Sequence, residues 1–131
     1  MVQTMSTNAR DKMKKLSDIP VLEEDASLKK ALDVMSEKRL GIACFVDKSG
    51  VLKGLLTDGD LRRLLLTKQS PLPALLVANA LNFGTSKPSV AQEDDDINKL
   101  RELMNAKQIW DLPIIDSNNK LIGLLHRHDA N

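Results

Sequence analysis

The stretch Gly54-Leu55-Leu56-Thr57-Asp58-Gly59-Asp60-Leu61-Arg62-Arg63 decides how this chain folds. Leu55 and Leu56 read as the end of a buried strand, and Asp58-Gly59 breaks the extended run. Asp60, Leu61, Leu64 and Leu65 then open a helix with one apolar face. A strand thus hands over to a helix N-terminus, with Thr57, Asp58 and Asp60 at the corner. Such a terminus carries unpaired backbone N–H groups and the positive end of the helix dipole, so it favours phosphate. A carboxylate there can accept hydrogen bonds from ribose hydroxyls, and Arg62 and Arg63 can add charge toward a phosphate. The same residues also meet a local need. Thr57-x-x-Asp60 fits a capping box, with Asp in place of the commoner Glu or Gln. Both readings stand open at this point.

The stretch recurs at an offset of 69 residues: Gly54 falls on Gly123, Leu55 on Leu124, Leu56 on Leu125 and Asp60 on Asp129. Upstream, Leu52 falls on Leu121, Asp47 on Asp116, Lys38 on Lys107, Met35 on Met104, Lys30 on Lys99 and Leu28 on Ile97, without a gap. Two copies are too few for a solenoid, which implies a pseudo-symmetric pair of units packed on each other.

With 131 residues, each repeat alone would bury a marginal core, and docking two makes the burial adequate. There is no Tyr, two Phe and one Trp, so the core is aliphatic. A formal net charge of +1 with no basic block argues against nucleic-acid binding. The one cysteine, Cys44, lies in an apolar run and can form no internal disulfide, which suits a reducing cytoplasm. No apolar signal core opens the chain, and no run reaches membrane-spanning length. The expectation is a cytoplasmic protein without a membrane partner.

Along the chain, residues 1–7 read as a flexible start and residues 8–16 as a short basic helix. Pro20 favours an extended segment over residues 18–22. Ser27 caps a helix running to Lys38, with Gly41 as its stop. Ile42–Val46 and residues 51–57 form a hairpin about Lys48-Ser49-Gly50, and a second helix spans residues 59–66. Residues 67–87 form a linker with a short helix over 74–81. The second copy repeats the order: an extended start at 88–91, a helix capped by Asp94 or Asp95 and running to Lys107, and strands at 112–115 and 120–125 about Ser117-Asn118-Asn119. His126–Asp129 is its corner, followed by the start of a helix. The fold class is α/β (α+β in some schemes): two pseudo-twofold-related β-α-β-β-α units, repeat 1 over 18–66 and repeat 2 over 88–131.

These features resemble a tandem pair of cystathionine-β-synthase-type (CBS) domains, a Bateman module. The resemblance rests on the Pro-Val-Leu start, Ser27-Leu28 opening the first helix, the Asp47 and Asp116 hairpins, and Gly-x-x-Thr-x-x-Asp at Gly54–Asp60. More narrowly, Thr57-Asp58-Gly59-Asp60-Leu61-Arg62-Arg63, together with Leu125-His126-x-His128-Asp129, is similar to the C-terminal CBS pair of arabinose-5-phosphate isomerases. CBS pairs fused to sugar-phosphate nucleotidyltransferases carry a similar motif.

The resemblance implies regulation by a ligand rather than catalysis, with no required cofactor. AMP, ATP or a cytidine sugar nucleotide would bind in clefts of the pair. It assigns Thr57 to phosphate and Asp60 to ribose, with Asp58 and Arg62 at the same corner. It places the base between the extended start and the next strand, at Val21, Leu22, Ile42 and Ala43. It further implies a homodimer joined through the apolar helix faces after Thr57 and after His126, and a catalytic domain of a parent enzyme lying N-terminal. The second corner departs from the pattern. His126 replaces Thr57, Arg127 replaces Asp58, His128 replaces Gly59, and only Asp129 persists. A second, less secure cleft therefore comprises His126, Arg127, Asp129 and Trp110. The runner-up function is a structural dimerisation module with no bound nucleotide.

Other chemistries find less support. His126, His128 and Asp129 invite a metal, but no further Cys or His supplies the third protein ligand that zinc usually requires. Glu93-Asp94-Asp95-Asp96 lacks the spacing and mid-loop Gly of an EF-hand, and capping a helix start explains it. Cys44 has no His at a matching corner and reads as buried core, so nucleophilic catalysis is not expected.

Overall fold

A computed structural model describes residues 7–130. In it the first hairpin forms from β3 (Ile42–Val46) and β4 (Leu52–Thr57), antiparallel, with Ala43 opposite Leu56 and Ile42 opposite Thr57. β2 (Val21–Glu23) adds to β3 in parallel, completing a sheet of order β2-β3-β4. The hairpin is tightened by Asp47, whose Oδ1 accepts from the N–H groups of Ser49 (2.9 Å) and Val51 (3.0 Å). Between β2 and β3 runs α2 (Leu28–Lys38), with the Ser27 hydroxyl accepting from the Lys30 N–H. Its apolar positions fall three and four apart, so Leu28, Ala31 and Met35 share a buried face. They pack with Leu22, Ala43, Phe45, Leu56 and Leu64 in one aliphatic core. After β4 come α3 (Asp58–Thr67) and α4 (Leu72–Val77). All of these belong to one compact unit, Ser17–Pro88.

The other unit joins residues 89–130 to residues 7–16. β5 (Ala91–Gln92), α5 (Ile97–Lys107), β6 (Asp111–Ile115) and β7 (Leu121–His126) repeat β2, α2, β3 and β4 in order. Asp111 faces His126 as Ile42 faces Thr57, and even the register irregularity recurs, between Ile114 and Ile115 as between Phe45 and Val46. Asp116 Oδ1 tightens this second hairpin as Asp47 does the first, accepting from Asn118 and Lys120. The core gathers Ala91, Ile97, Leu100, Met104, Leu112, Ile114 and Leu125.

Four sequence expectations are corrected. Residues 8–16 do not form one helix: α1 (Ala9–Lys12) is a single turn, and β1 (Lys14–Lys15) pairs antiparallel with β7. The open edge of β7 offers backbone hydrogen bonds that a short isolated helix cannot match. The cap of α5 is Asp96, not Asp94 or Asp95, its Oδ2 accepting from the N–H groups of Asn98 and Lys99. Helix α2 stops at Arg39, which takes the left-handed conformation (φ 56°), two residues before Gly41. After His126, the described residues 127–130 form a turn rather than a helix, closed by bonds from Asp129 and Ala130 N–H to the His126 carbonyl. The expected irregular start falls mostly on residues 1–6, outside the described residues.

Candidate functional site

At the first corner Thr57 caps α3. Its hydroxyl accepts from the Asp60 N–H (3.2 Å), and Asp60 Oδ2 accepts from the Thr57 N–H (2.9 Å). The capping box is therefore complete. Arg63, one turn along, donates to Asp60 Oδ1, so both carboxylate oxygens are occupied and the residue is only 7% exposed. Asp58 is exposed, its N–H held by the Gly41 carbonyl at 3.0 Å. Arg62 is exposed beside it. The corner thus presents a helix N-terminus, a Thr hydroxyl and two carboxylates in one place.

The four residues expected around a base sit on β2 and β3. These strands are hydrogen-bonded neighbours, with Val21 opposite Cys44 and Leu22 opposite Phe45. Val21 is half-buried, while Leu22, Ile42 and Ala43 are packed into the interior. Adjacent to the corner, Leu32, Met35, Ser36, Arg39, Leu40, Gly41 and Asp58 line a cavity of about 330 Å³.

The second corner has the same backbone and different chemistry. The Arg127 N–H bonds the Trp110 carbonyl at 2.8 Å, as the Asp58 N–H bonds that of Gly41. Where the Asp58 carboxylate packs against Gly41, the Arg127 guanidinium lies 4.9 Å over the Trp110 ring and donates to Asn105 Oδ1. Trp110 is 56% exposed, and the His128 ring lies 6.1 Å from it. Where Ile42 faces Thr57, Asp111 Oδ1 lies 2.7 Å from His126 Nδ1. Burial pushes the Asp111 carboxyl above the usual carboxylate range; the His126 bond and charge, and Lys14, pull it back. Asp129, the counterpart of Asp60, has its Oδ2 3.4 Å from Lys14 Nζ. The structure thus groups His126, Arg127, Asp129 and Trp110 and adds Lys14, Asn105 and Asp111. Of these three, Asp111 carried a readable signal: the 69-residue shift places it on Ile42, a charge on a core position.

No group of three or more His, Cys, Asp or Glu side chains among the described residues is arranged to hold a metal. The acidic run is employed otherwise. Arg10 pairs with Glu93 and Asp94, Asp95 accepts from the Gln92 N–H, and Asp96 caps α5. No helix among the described residues is long and apolar enough to cross a membrane.

Two α/β units that share the order strand, helix, strand, strand, each ending its hairpin in a polar corner, define a tandem-repeat module. The chain belongs to the CBS domain family, matching it over residues 9–67 and again over 82–130. Among curated relatives it is 32% identical over 107 residues to a probable arabinose 5-phosphate isomerase of Haemophilus influenzae, covering 82% of this chain and 31% of that protein. It is 31% identical over 112 residues to arabinose 5-phosphate isomerase KpsF of Escherichia coli, covering 86% of this chain and 33% of that one. The chain therefore spans about a third of the length of these relatives. Among solved structures, CBSX2 of Arabidopsis thaliana in complex with AMP shares the fold (TM-score 0.82, 24% identity, 94% of this chain and 92% of that one). So does the CBS domain pair of MJ0100 with 5′-methylthioadenosine and S-adenosyl-L-methionine (TM-score 0.81, 18% identity, 95% and 93%).

Proposed function

We propose that this CBS pair is the cytoplasmic regulatory, nucleotide-sensing part of a sugar-phosphate isomerase of the arabinose-5-phosphate type, with a catalytic domain N-terminal to it. The ligand is an adenosine nucleotide or a cytidine sugar nucleotide. The observation that carries the reading is the first corner, where Thr57, Asp58 and Asp60 converge on the N-terminus of α3. The relatives support the parent enzyme, and the AMP-bound fold neighbour supports the ligand class. Thr57 meets phosphate and Asp60 meets ribose hydroxyls. Asp58 and Arg62 flank them, and half-buried Val21 is the apolar side chain a base can reach, with Leu22, Ile42 and Ala43 packed in the core behind it.

Calorimetric titration with AMP, ATP and a cytidine sugar nucleotide tests this. Asp60→Ala should weaken binding by roughly 1.5–3 kcal/mol, the scale of hydrogen bonds to a charged group, or about tenfold to a hundredfold in Kd. Folding must be checked at the same temperature, because losing the cap alone costs about 1 kcal/mol of stability. Unchanged affinity in Asp60→Ala, or no binding by the parent chain, overturns the reading.

One observation favours a second reading, a structural dimerisation module without nucleotide. Both Asp60 oxygens are already satisfied within the chain, by Thr57 and Arg63. Absence of nucleotide binding together with a stable dimer would select it.

A further inference from the structure

Each unit is completed by a segment that precedes the other repeat. In the unit Ser17–Pro88 the Leu28 N–H bonds the Ala78 carbonyl, and Leu55 and Thr85 exchange two backbone bonds of 2.9 and 2.8 Å. In the second-repeat unit the corresponding bonds come from the N-terminal segment. The Ile97 N–H bonds the Thr7 carbonyl at 2.9 Å, and Lys14 pairs with Leu124 on β7. Ala9 of this segment is fully buried in the second core, with its N–H on the Asp95 carbonyl. Residues 8–15 are thus a working part of the second-repeat unit, although they precede the first repeat.

The two straps differ in charge at the position opposite Leu55 in one unit and Leu124 in the other. Thr85, opposite Leu55, is uncharged, and Asp60 of that unit takes its cation from its own helix, at Arg63. The matching strap position in the other unit is Lys14, opposite Leu124, and Lys14 supplies the cation to Asp129. Asp129 Oδ2 is buried and makes no hydrogen bond, so the Lys14 ammonium is its electrostatic partner. Asp129 is the corner carboxylate of the second cleft, so a ligand that engages it competes with the strap.

We infer that residues 8–15 form a latch, closed by Lys14 on Asp129, through which occupancy of the second corner reaches the chain N-terminal to it. The latch itself stands on the contacts above; its use as a relay extends the nucleotide-sensing reading of the first corner to the second. A ligand that takes Asp129 releases Lys14 and loosens β1 from β7, so binding frees the strap rather than ordering it. Arg10 on Glu93 and Asp94 is the second tether and keeps the strap in place when Lys14 lets go.

Amide hydrogen exchange on the 131-residue chain tests the latch directly. Asp129→Asn keeps the shape and removes the charge. Exchange at residues 9–15 should then quicken about two- to fivefold, the scale of a half-exposed ion pair, with β3 and β4 unchanged. Lys14→Met should do the same, and the double variant should add nothing further. Exchange unaltered in Asp129→Asn, or raised equally in both units, overturns the latch. In a second arm AMP is the probe, its arrival read by the fluorescence of Trp110. Faster strap exchange on binding supports the relay, and unchanged or slower exchange on binding overturns it. Failure of AMP to bind counts against the nucleotide reading alone, the latch then being decided by the two variants.

Discussion

His126 Nδ1 lies 2.7 Å from Asp111 Oδ1 across the β6–β7 pair, at the position where Ile42 faces Thr57 in the other unit. One cross-strand pair has been exchanged whole, an apolar and a hydroxyl residue for an acid and an imidazole. The neighbouring pair has changed with it, Gly41 and Asp58 for Trp110 and Arg127. The backbone tolerates both sets because the bonds that fix the corner, from Asp58 to Gly41 and from Arg127 to Trp110, are main-chain bonds.

The Asp111 pair predicts a pH dependence. Burial raises the Asp111 carboxyl above its ordinary value, so the folded state holds its proton to a higher pH than the unfolded chain. Between the unfolded value, about 3.9, and the raised folded one, the folded state binds more protons. This residue's contribution to stability is therefore full below that window and declines as pH rises through it. Thermal melts from pH 3.5 upward should show this decline in the parent chain, and Asp111→Asn should flatten it.

Gly54 and Gly123 occupy equivalent strand positions, and each is crossed by a strap. A Cβ on Gly54 would meet Leu81 and stand 2.5 Å from the Thr85 carbonyl oxygen; one on Gly123 would stand 2.6 Å from Met13 Sδ and 2.7 Å from the Lys14 carbonyl oxygen. Gly54→Ala and Gly123→Ala should each destabilise by about 1–3 kcal/mol, the usual cost of overpacking. Urea unfolding measures this. Gly123→Ala should also quicken exchange at residues 13–15.

Arg39 and Gln108 end α2 and α5 in the left-handed conformation, at φ 56° and 53°. A side chain there costs roughly 1–2 kcal/mol that glycine avoids, partly offset by glycine's greater unfolded freedom. Arg39→Gly and Gln108→Gly should therefore raise stability by about 0.5–1 kcal/mol each, read as a higher urea midpoint with unchanged slope.

The homodimer that the resemblance implies has a concrete test, through the faces of α3 and α4, since residues 127–130 form a turn and offer no helix face. Leu65 and Leu66 on α3, and Leu72 and Val77 on α4, are exposed in the single chain, Leu66 and Val77 at 79%. Exposed apolar faces of this kind mark interaction sites. Sedimentation at micromolar concentration should give a dimer, and Leu66→Lys should shift it to monomer with no loss of melting cooperativity. A parent chain that sediments as monomer overturns that expectation.

The repeat, and most of what each repeat contains, is legible in the chain's local patterns. Helix faces at spacing three and four, the Asp47 and Asp116 turns, and the Ser27 and Thr57 caps are local devices, each written within a few residues. The 69-residue shift then matched them in pairs, down to Asp60 on Asp129. Even the altered second corner was legible, because His126 and Arg127 sit where the first copy has Thr57 and Asp58. The long-range pairings are not legible there. Residues 8–15 complete the unit of the second repeat, because the free edge of β7 and the space over Gly123 lie there. Asp60 spends both its oxygens on Thr57 and Arg63, while Asp129 takes its cation from Lys14, more than a hundred residues away in the chain. Local pattern can name a capping residue or a core face. It carries no record of which distant segment will fill a sheet edge or neutralise a corner carboxylate, since those partners are chosen by packing after the local elements exist.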